Sequence, residues 1–143
     1  MVNILHRVGI EASTEKVYQT LTSLEGNKGW WDSEAKGDAK KGGLLTFFKQ
    51  VDMKVLETKP NELVKWKCVK GPAEWLNTEI SFQLVHKQDQ TFVLFSHAGW
   101  VEPVEFMHHC STKWATFLLS LKAFVESGKG RPAPDDLQIY VGG

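Results

Sequence analysis

The fold of this chain is decided by residues 103–134, whose sequence is PVEFMHHCSTKWATFLLSLKAFVESGKGRPAP. Apolar side chains recur there every three or four residues and form one stripe when plotted at about 100° per residue. Pro103 suits the first turn of a helix, where its missing N–H costs nothing, and Gly128 begins a run of glycines and prolines that stops it. We therefore expect one long, one-sided helix with these residues in its stripe: Phe106, Met107, Cys110, Trp114, Phe117, Leu118, Leu121, Phe124 and Val125.

Nearly everything before this helix has the alternating pattern of β-strands. Val2–Ile10 alternates first, and the strands resume after Gly42-Gly43. The last strand is apolar on both faces, so its pattern does not show which side chains point inward. The predicted strands of the second group are Leu44–Val51, Asp52–Thr58, Val64–Cys68, Thr78–Leu84 and Thr91–Trp100.

A short helical segment separates the first strand from the others. Ser13 or Thr14 can cap this helix, whose apolar face begins at Val17. Gly26, Asn27 and Gly29 are expected to end this helix, which leaves Trp30-Trp31-Asp32 on a loop. Strands with segregated helices indicate an α+β fold. The long helix must then lie across the sheet, with core or pocket between them.

Length and composition limit the class of protein. We expect one domain over residues 1–143, long enough to bury a core without disulfides or metals. The 17 basic and 17 acidic side chains balance, so charge gives no reason to expect nucleic acid or an anionic membrane as a partner. No apolar run is long enough to span a bilayer. Cys68 and Cys110 form no metal or redox motif, and although they could pair, free buried thiols and a cytoplasmic location are expected.

Several segments of the chain, taken in order, resemble the AHSA-like family. These proteins are homologues of the activator of a heat-shock chaperone ATPase, within the START-like (SRPBCC) superfamily. The residues that carry the resemblance are Val17, Trp30-Trp31, Thr78-Glu79-Ile80-Ser81-Phe82, Thr91 through His97-x-Gly99-Trp100, Cys110-x3-Trp114-x2-Phe117-Leu118-x-Ser120-Leu121-Lys122 and Gly128-Lys129-Gly130-x-Pro132.

The resemblance implies a helix-grip fold. In that fold a curved antiparallel β-sheet wraps around a long C-terminal helix, and two short helices lie between the first and second strands. An internal cavity, which is often apolar, lies between sheet and helix. Members of the superfamily are variously ligand carriers, cyclase-like enzymes, resistance proteins and chaperone activators, so the fold does not give the activity.

The six tryptophans are the unusual feature of the composition, because large aromatic side chains fill cores and also line pockets for flat apolar ligands. Alternation along the sheet places Trp66 and Phe82 opposite the long helix. We expect the N-terminal half of this helix to roof the cavity, whereas Leu121, Phe124 and Val125 pack. An aromatic stripe is core more often than pocket, and both roles stay open here. The candidate ligand contacts are Trp30, Trp31, Trp66, Phe82, His97, Phe106, Cys110 and Trp114.

Some of the candidate polar and aromatic residues have two interpretations. Trp30 and Trp31 either plug one end of the core or form a stacking platform at the cavity mouth. His6 shares a strand face with apolar residues. It is either a hydrogen-bonded side chain at the sheet margin or a polar cavity group capable of acid–base chemistry. His97 has the same two interpretations.

The sequence contains no motif that predicts a metal, a cofactor or a catalytic centre. His108, His109 and Cys110 are adjacent, but neighbours on a helix point about 100° apart and cannot converge on one ion. There is no nucleophile elbow, phosphate-binding glycine loop or zinc motif. Cys110 lies among aromatic residues, which disfavour a reactive thiolate. We therefore expect neither a metal nor a cofactor.

The leading hypothesis is a small cytoplasmic protein that binds an apolar molecule, aromatic or lipid-like, between sheet and helix. One alternative is a regulator of a chaperone ATPase that acts by protein–protein contact. The other is a cyclase- or hydrolase-like enzyme that uses His6, His97 or a carboxylate. The sequence does not identify the ligand or distinguish a monomer from a homodimer, although an exposed apolar strand edge could support a dimer.

Overall fold

The structure, a computed structural model, describes residues 2–142 of the chain. Its strands are β1 (Val2–Ile10), β2 (Lys36–Gly37), β3 (Leu44–Phe47), β4 (Val51–Lys59), β5 (Leu63–Lys70), β6 (Glu79–Lys87) and β7 (Gln90–Trp100). Its helices are α1 (Thr14–Leu21), α2 (Leu24–Trp30) and α3 (Glu105–Ser127), and a single 3-10 turn covers Ala73–Trp75.

The strands form one seven-stranded antiparallel sheet with the order β1-β7-β6-β5-β4-β3-β2. Register shifts between β4 and β5, near Asp52 and Val55, are irregularities of the kind that bend and twist a sheet. The long helix packs on the inner face, where the rings of Trp114 in α3 and Phe95 in β7 lie 4.5 Å apart. The predicted α+β helix-grip fold, with two short helices after the first strand, is confirmed.

Helix α3 carries the predicted stripe but begins later than expected. The extended backbone of Val104 makes it the N-cap, so Pro103 precedes the helix and does not lie in its first turn. At the other end Gly128 has a φ of 82°, a left-handed conformation that glycine adopts without strain. Its N–H donates to the carbonyl of Phe124 at 2.8 Å, which ends the helix at the predicted place.

The prediction that Gly26, Asn27 and Gly29 end the helical segment is wrong, because these residues lie inside α2. Ser23 caps this second helix by accepting a hydrogen bond from the N–H of Gly26 at 3.0 Å. A Cβ at Gly26 would lie 2.0 Å from the Thr20 carbonyl oxygen, and one at Gly29 would lie 2.2 Å from the Phe124 ring. The glycines are therefore needed for close packing of α2 against α1 and α3.

The predicted strand Leu44–Val51 is interrupted by a tight turn. β3 ends at Phe47, and Phe48 and Lys49 have φ values of 55° and 63°. Both lie in the left-handed region, which residues other than glycine seldom adopt. Asp32 stabilises the turn, since its Oδ2 accepts a hydrogen bond from the N–H of Phe48 at 2.6 Å. The sequence pattern missed this turn because neither Phe nor Lys is a typical turn residue.

The inward face of β7, which the sequence left undetermined, follows from its contacts. Phe95 meets Trp114 of α3, so alternate residues from Thr91 to His97 face the helix. Phe92 lies on the opposite face, where the Arg7 guanidinium covers its ring at 4.6 Å. A cation thus covers this apolar residue of the outer face.

The core between sheet and helices is aromatic. Trp31 lies among Phe47, Trp66 and Trp114, with ring centroids at 4.2, 5.9 and 5.0 Å. Such rings bury large apolar areas and dominate the stability of a small core. No helix within residues 2–142 is long and apolar enough to cross a membrane.

Candidate ligand-binding site

A cavity of about 530 Å³ lies beside the N-terminal half of α3 and opens to solvent. It is formed by α3, by the β3–β4 turn and by the segment that follows β5. Its volume is within the range of about 300–1,000 Å³ that is typical of small-molecule sites. The lining residues are Phe48, Gln50, Val51, Lys70, Gly71, Pro72, Trp75, Phe106, His109, Cys110, Lys113, Trp114 and Phe117.

The walls of the cavity are largely aromatic. Trp75 and Trp114 lie nearly parallel, with ring centroids 6.1 Å apart and an interplanar angle of 16°. Phe117 meets Trp114 edge-on at 5.8 Å. The indole N–H of Trp75 donates to Sγ of Cys110 at 3.4 Å, so the polar group of this ring is already bonded. Trp75 and Trp114 are only 8% and 1% exposed, so most of the aromatic surface open to a ligand belongs to the half-buried rings of Phe48 and Phe106.

The ionisable side chains of the cavity are basic or neutral. They are Lys70, Lys113, His109 and Cys110, and within the part of the chain that the structure describes no Asp or Glu side chain lines the cavity. Lys70 is exposed and makes no ion pair with a carboxylate of residues 2–142. The chain as a whole carries 17 basic and 17 acidic side chains, so this lining departs from the average charge of the protein.

The segment after α3 folds back along the helix to the cavity. The Lys113 ammonium donates to the carboxylate of Asp136 and to the carbonyl of Leu137, the latter at 2.8 Å. The same ammonium lies 4.9 Å from the centre of the Phe117 ring. Tyr140 meets the ring of His109 edge-on at 5.8 Å. Two lining residues, Lys113 and His109, thus contact this C-terminal segment.

The structure brings three of the predicted ligand contacts to the cavity and leaves the others in the core behind it. Phe106, Cys110 and Trp114 line the cavity, as expected for the N-terminal half of the long helix. The remaining candidates have no exposed surface and are absent from the lining: Trp30, Trp31, Trp66, Phe82 and His97. Their side chains pack against other protein groups instead.

Trp30 and Trp31 plug the core and do not form a platform at its mouth. Trp30 is the last residue of α2, and its indole donates to Oδ1 of Asn27 at 3.1 Å. Trp31 stacks on Trp30 at 5.6 Å and lies behind two cavity residues, Phe48 and Phe117, at 5.3 and 5.9 Å. It therefore supports the wall from inside.

Trp66 and Phe82 continue this cluster into the sheet, with their rings edge-on at 5.1 Å. Trp66 also lies parallel to Trp31 at 5.9 Å. The indole N–H groups of Trp31 and Trp66 have no acceptor among the described residues. An unmade hydrogen bond costs about 1–3 kcal/mol, so the buried ring area at these positions compensates for it.

His97 is part of a buried hydrogen-bonded chain that fixes two of the cavity walls. The indole N–H of Trp114 is only a donor, so Nδ1 of His97 accepts its bond at 3.0 Å. The proton of the neutral ring is then on Nε2, which donates to Oγ1 of Thr78 at 2.8 Å. The Thr78 hydroxyl in turn donates to the Trp75 carbonyl at 2.6 Å. Burial lowers the pKa of His97 to about 3, which keeps the ring neutral.

The thiol of Cys110 faces the cavity in an unreactive form. Burial raises its pKa to about 11, the hydrogen bond from Trp75 lowers it in part, and the charge of Glu74 raises it. Nucleophilic cysteines need a stabilised thiolate at neutral pH. Cys68, the other free thiol, is also buried, and its pKa is likewise raised to about 11.

The other histidines do not form a metal centre. Nε2 of His6 lies 3.0 Å from the carbonyl of Ser111, which matches the interpretation of a hydrogen-bonded side chain at the sheet margin. His108 is exposed, whereas His109 stacks on Phe106 at 5.8 Å. Within residues 2–142, no group of three or more His, Cys, Asp or Glu side chains is arranged to hold a metal ion.

Sequence reasoning missed several lining residues. Trp75 lies on the single 3-10 turn, which has no periodic signal, although Gly71-Pro72 predicts a turn immediately before it. Phe48 lies on the left-handed turn between β3 and β4, which the strand pattern did not predict. Lys113 precedes Trp114 in the helix, but its role depends on Asp136, 23 residues further along the chain.

Comparison with known proteins identifies relatives along most of the chain. The family model described as "Activator of Hsp90 ATPase homolog 1-like protein" matches residues 11–126. No curated protein matches. Among solved structures, the Aha1 dimer from Colwellia psychrerythraea is 48% identical with a TM-score of 0.82, and the alignment covers 91% of this chain and 100% of that one.

Two further solved structures share the fold at lower identity. A protein from Staphylococcus saprophyticus is 18% identical with a TM-score of 0.76, covering 92% of this chain and 98% of that one. CalU16 from Micromonospora echinospora is 22% identical with a TM-score of 0.74, covering 92% of this chain and 77% of that one. These two likenesses show the fold alone.

Proposed function

The chain belongs to the Activator of Hsp90 ATPase homolog 1-like family, and we propose that this member binds an apolar small molecule, aromatic or lipid-like, in the cavity beside α3. The observation that carries the proposal is the cavity itself, whose aromatic lining includes the stacked rings of Trp75 and Trp114 and the half-buried ring of Phe106. A void of about 530 Å³ accommodates a molecule of two or three fused or linked rings, or a folded acyl chain.

Burial of apolar surface supplies most of the expected affinity. Each Å² of apolar surface removed from water contributes about 25 cal/mol. Loss of translational and rotational freedom offsets part of this gain. The open side of the cavity leaves some of the ligand in contact with water, so we expect micromolar rather than nanomolar dissociation constants.

The ionisable groups favour binding over catalysis. The sequence offered His97 as an acid–base group, but it is buried behind Trp114 and held neutral by its low pKa of about 3. Cys110 faces the cavity with a pKa raised to about 11, so it is a thiol at neutral pH. With a pKa of about 3, His97 is too weak a base to take a proton efficiently at neutral pH, and the Cys110 thiol is not deprotonated, so neither residue suits the role of general base or nucleophile.

A titration with N-phenyl-1-naphthylamine, a neutral aromatic probe that fluoresces outside water, tests the proposal. We expect saturable binding at one site per chain. The variant Phe106→Ala shortens one wall and weakens binding about fivefold through the lost apolar contact. Phe124→Ala is the matched control, because Phe124 is a half-buried phenylalanine of the same helix that does not line the cavity. Absence of saturable binding, or equal weakening by both variants, would contradict the proposal.

A chaperone regulator is the second candidate, favoured by the 48% identity to a protein named Aha1. In that case the chain would act through its surface, and the cavity would be incidental. Addition of the purified chain to an Hsp90 chaperone in a steady-state ATPase assay tests this alternative. Stimulation that survives Phe106→Ala supports surface contact, whereas no stimulation rules the alternative out.

We also propose a cytoplasmic homodimer. Free thiols at Cys68 and Cys110 support a reducing compartment.

The Colwellia psychrerythraea relative is a dimer, and β1 leaves one free sheet edge with the exposed Leu5 beside it. Light scattering on the purified chain measures the mass directly. Twice 16.2 kDa supports the dimer, and 16.2 kDa at high micromolar concentration contradicts it.

A further inference from the structure

We propose that the ligand of this cavity carries an anionic group that binds Lys113 and Lys70, and that Asp136 competes with this group for Lys113. The inference rests on the proposed function and names the chemistry of the ligand. Two independent observations support it: the charge of the cavity lining, and the contact between Lys113 and the C-terminal segment.

The charge of the lining favours an anion. Lys70 and Lys113 reach the cavity from two different elements, the end of β5 and the middle of α3. No Asp or Glu side chain of residues 2–142 lines the cavity. Asp52 is opposite Lys70 in the strand register, but its Oδ1 accepts a hydrogen bond from Thr46 at 2.7 Å, and it makes no ion pair with Lys70. An apolar ligand that ends in a carboxylate, sulfonate or phosphate therefore finds complementary charge.

The environment of Lys113 shows that this position accepts a carboxylate. Its side chain is only 16% exposed, and that of Asp136 is 13% exposed, so the ion pair is largely removed from water. The Phe117 ring lies 4.9 Å below the ammonium and holds it beside the apolar wall. A ligand that packs against Phe117 brings its own anionic end within reach of the same ammonium.

The C-terminal segment, residues 129–142, supplies the competing carboxylate from within the chain. It is fastened next to the site: the N–H of Arg131 donates to Oγ of Ser120 at 2.7 Å, and the N–H of Ala133 donates to the Trp31 carbonyl at 2.8 Å. Asp136 therefore stays near Lys113 without depending on their ion pair. Because the carboxylate is tethered, it neutralises Lys113 when no ligand is bound, and an anionic ligand must displace or share it.

A matched pair of probes separates this inference from the proposed function. The probe 8-anilinonaphthalene-1-sulfonate has the same aromatic body as N-phenyl-1-naphthylamine and adds a sulfonate. We expect the sulfonate probe to bind about tenfold more tightly, with an advantage that falls as salt rises. If the neutral probe binds but the sulfonate adds nothing, the inference is overturned and the proposed function stands. If neither probe binds, both are overturned.

Charge-neutralising variants then identify the groups. Lys113→Gln and Lys70→Gln should each weaken binding of the sulfonate probe about fivefold, a clearly larger loss than for the neutral probe. Lys129→Gln is the control, since it removes an exposed lysine that does not line the cavity. An equal loss for both probes would show that the lysines only maintain the structure and would overturn the inference.

The variant Asp136→Asn distinguishes competition with the ligand from a purely structural role of the ion pair between Asp136 and Lys113. Removing the tethered carboxylate frees the Lys113 ammonium, so the sulfonate probe should bind about threefold more tightly. The neutral probe should be unaffected, and a thermal melt should show that the variant is folded. Unchanged or weaker binding of the sulfonate probe would overturn the competition between Asp136 and the ligand.

Discussion

The indole Nε1 of Trp114 donates a hydrogen bond to Nδ1 of His97 across 3.0 Å, which connects the wall of the cavity to the buried face of the sheet. Trp114 is a donor only, so His97 must remain neutral to accept this bond. The same ring donates to Thr78, whose hydroxyl donates to the backbone carbonyl of Trp75, a second lining residue. One buried histidine therefore sets the positions of both tryptophans that would contact a ligand.

Replacing this histidine should loosen both walls. We expect His97→Ala to lower the free energy of unfolding by about 2–4 kcal/mol, because it opens a cavity, leaves the indole N–H of Trp114 without an acceptor and removes the hydrogen bond to Thr78. His86→Ala, an exposed histidine of the neighbouring strand, should change stability by less than about 0.5 kcal/mol. Urea denaturation followed by tryptophan fluorescence measures both. Equal effects of the two variants would contradict the role of the chain of hydrogen bonds.

The low pKa of His97 makes stability depend on pH in a defined direction. An unfolded histidine gains a proton below pH 6.5, whereas folded His97 does so only near pH 3. The unfolded state therefore binds more protons in this window, and stability present above pH 6.5 is lost as the pH falls toward 3. The stability difference between wild type and His97→Ala should shrink by about 3 kcal/mol from pH 7 to pH 4. A constant difference would mean that His97 titrates normally.

The turn at Phe48 and Lys49 stores strain beside the cavity. Lys49 has a φ of 63°, a conformation that costs a non-glycine residue about 1 kcal/mol. We expect Lys49→Gly to stabilise the fold by about 0.5 kcal/mol after the extra entropy of the unfolded chain is subtracted. Lys54→Gly, within β4, should destabilise it by about 1 kcal/mol. Thermal melts of both variants measure the difference, and destabilisation by Lys49→Gly would contradict the backbone geometry.

The two thiols should be inert in the folded protein. Both pKa values are raised to about 11 from the ordinary 9.0, which reduces the thiolate fraction about 100-fold, and burial slows access further. Ellman's reagent at pH 8 should therefore react rapidly with both cysteines in guanidinium and at least about 100-fold more slowly in buffer. Rapid reaction of either thiol in buffer would contradict the burial and the raised pKa of that cysteine.

The architecture could be predicted from the sequence because the spacing of the apolar residues follows the buried face of each helix and strand. The stripe from Phe106 to Val125 has helical spacing, and the strands alternate, so sheet and helix could be predicted together. The breaks were harder to predict because they depend on tertiary contacts. Gly29 looks like a helix breaker, yet it lies within α2 because its missing side chain makes room for the Phe124 ring.

The site was only partly predictable for a related reason. Phe106, Cys110 and Trp114 reach the cavity because the helix face alone determines their direction. Trp31 and Trp66 were predicted as ligand contacts because they are tryptophans, but both lie in the core. Residue type alone does not distinguish an aromatic ring packed in the core from one that lines a cavity. The pair Lys113 and Asp136 depends on a chain reversal after Gly128, which no local pattern encodes.

Nuclear magnetic resonance of the tryptophan indole N–H groups tests the central claim most directly. The chain contains six tryptophans, which give six indole signals, and Trp75 and Trp114 are the two that line the cavity. During a titration with N-phenyl-1-naphthylamine, the signals of Trp75 and Trp114 should shift most and saturate together. The signals of Trp30 and Trp66 should move little. Unchanged spectra, or largest shifts at Trp30 or Trp66, would contradict a ligand site beside α3.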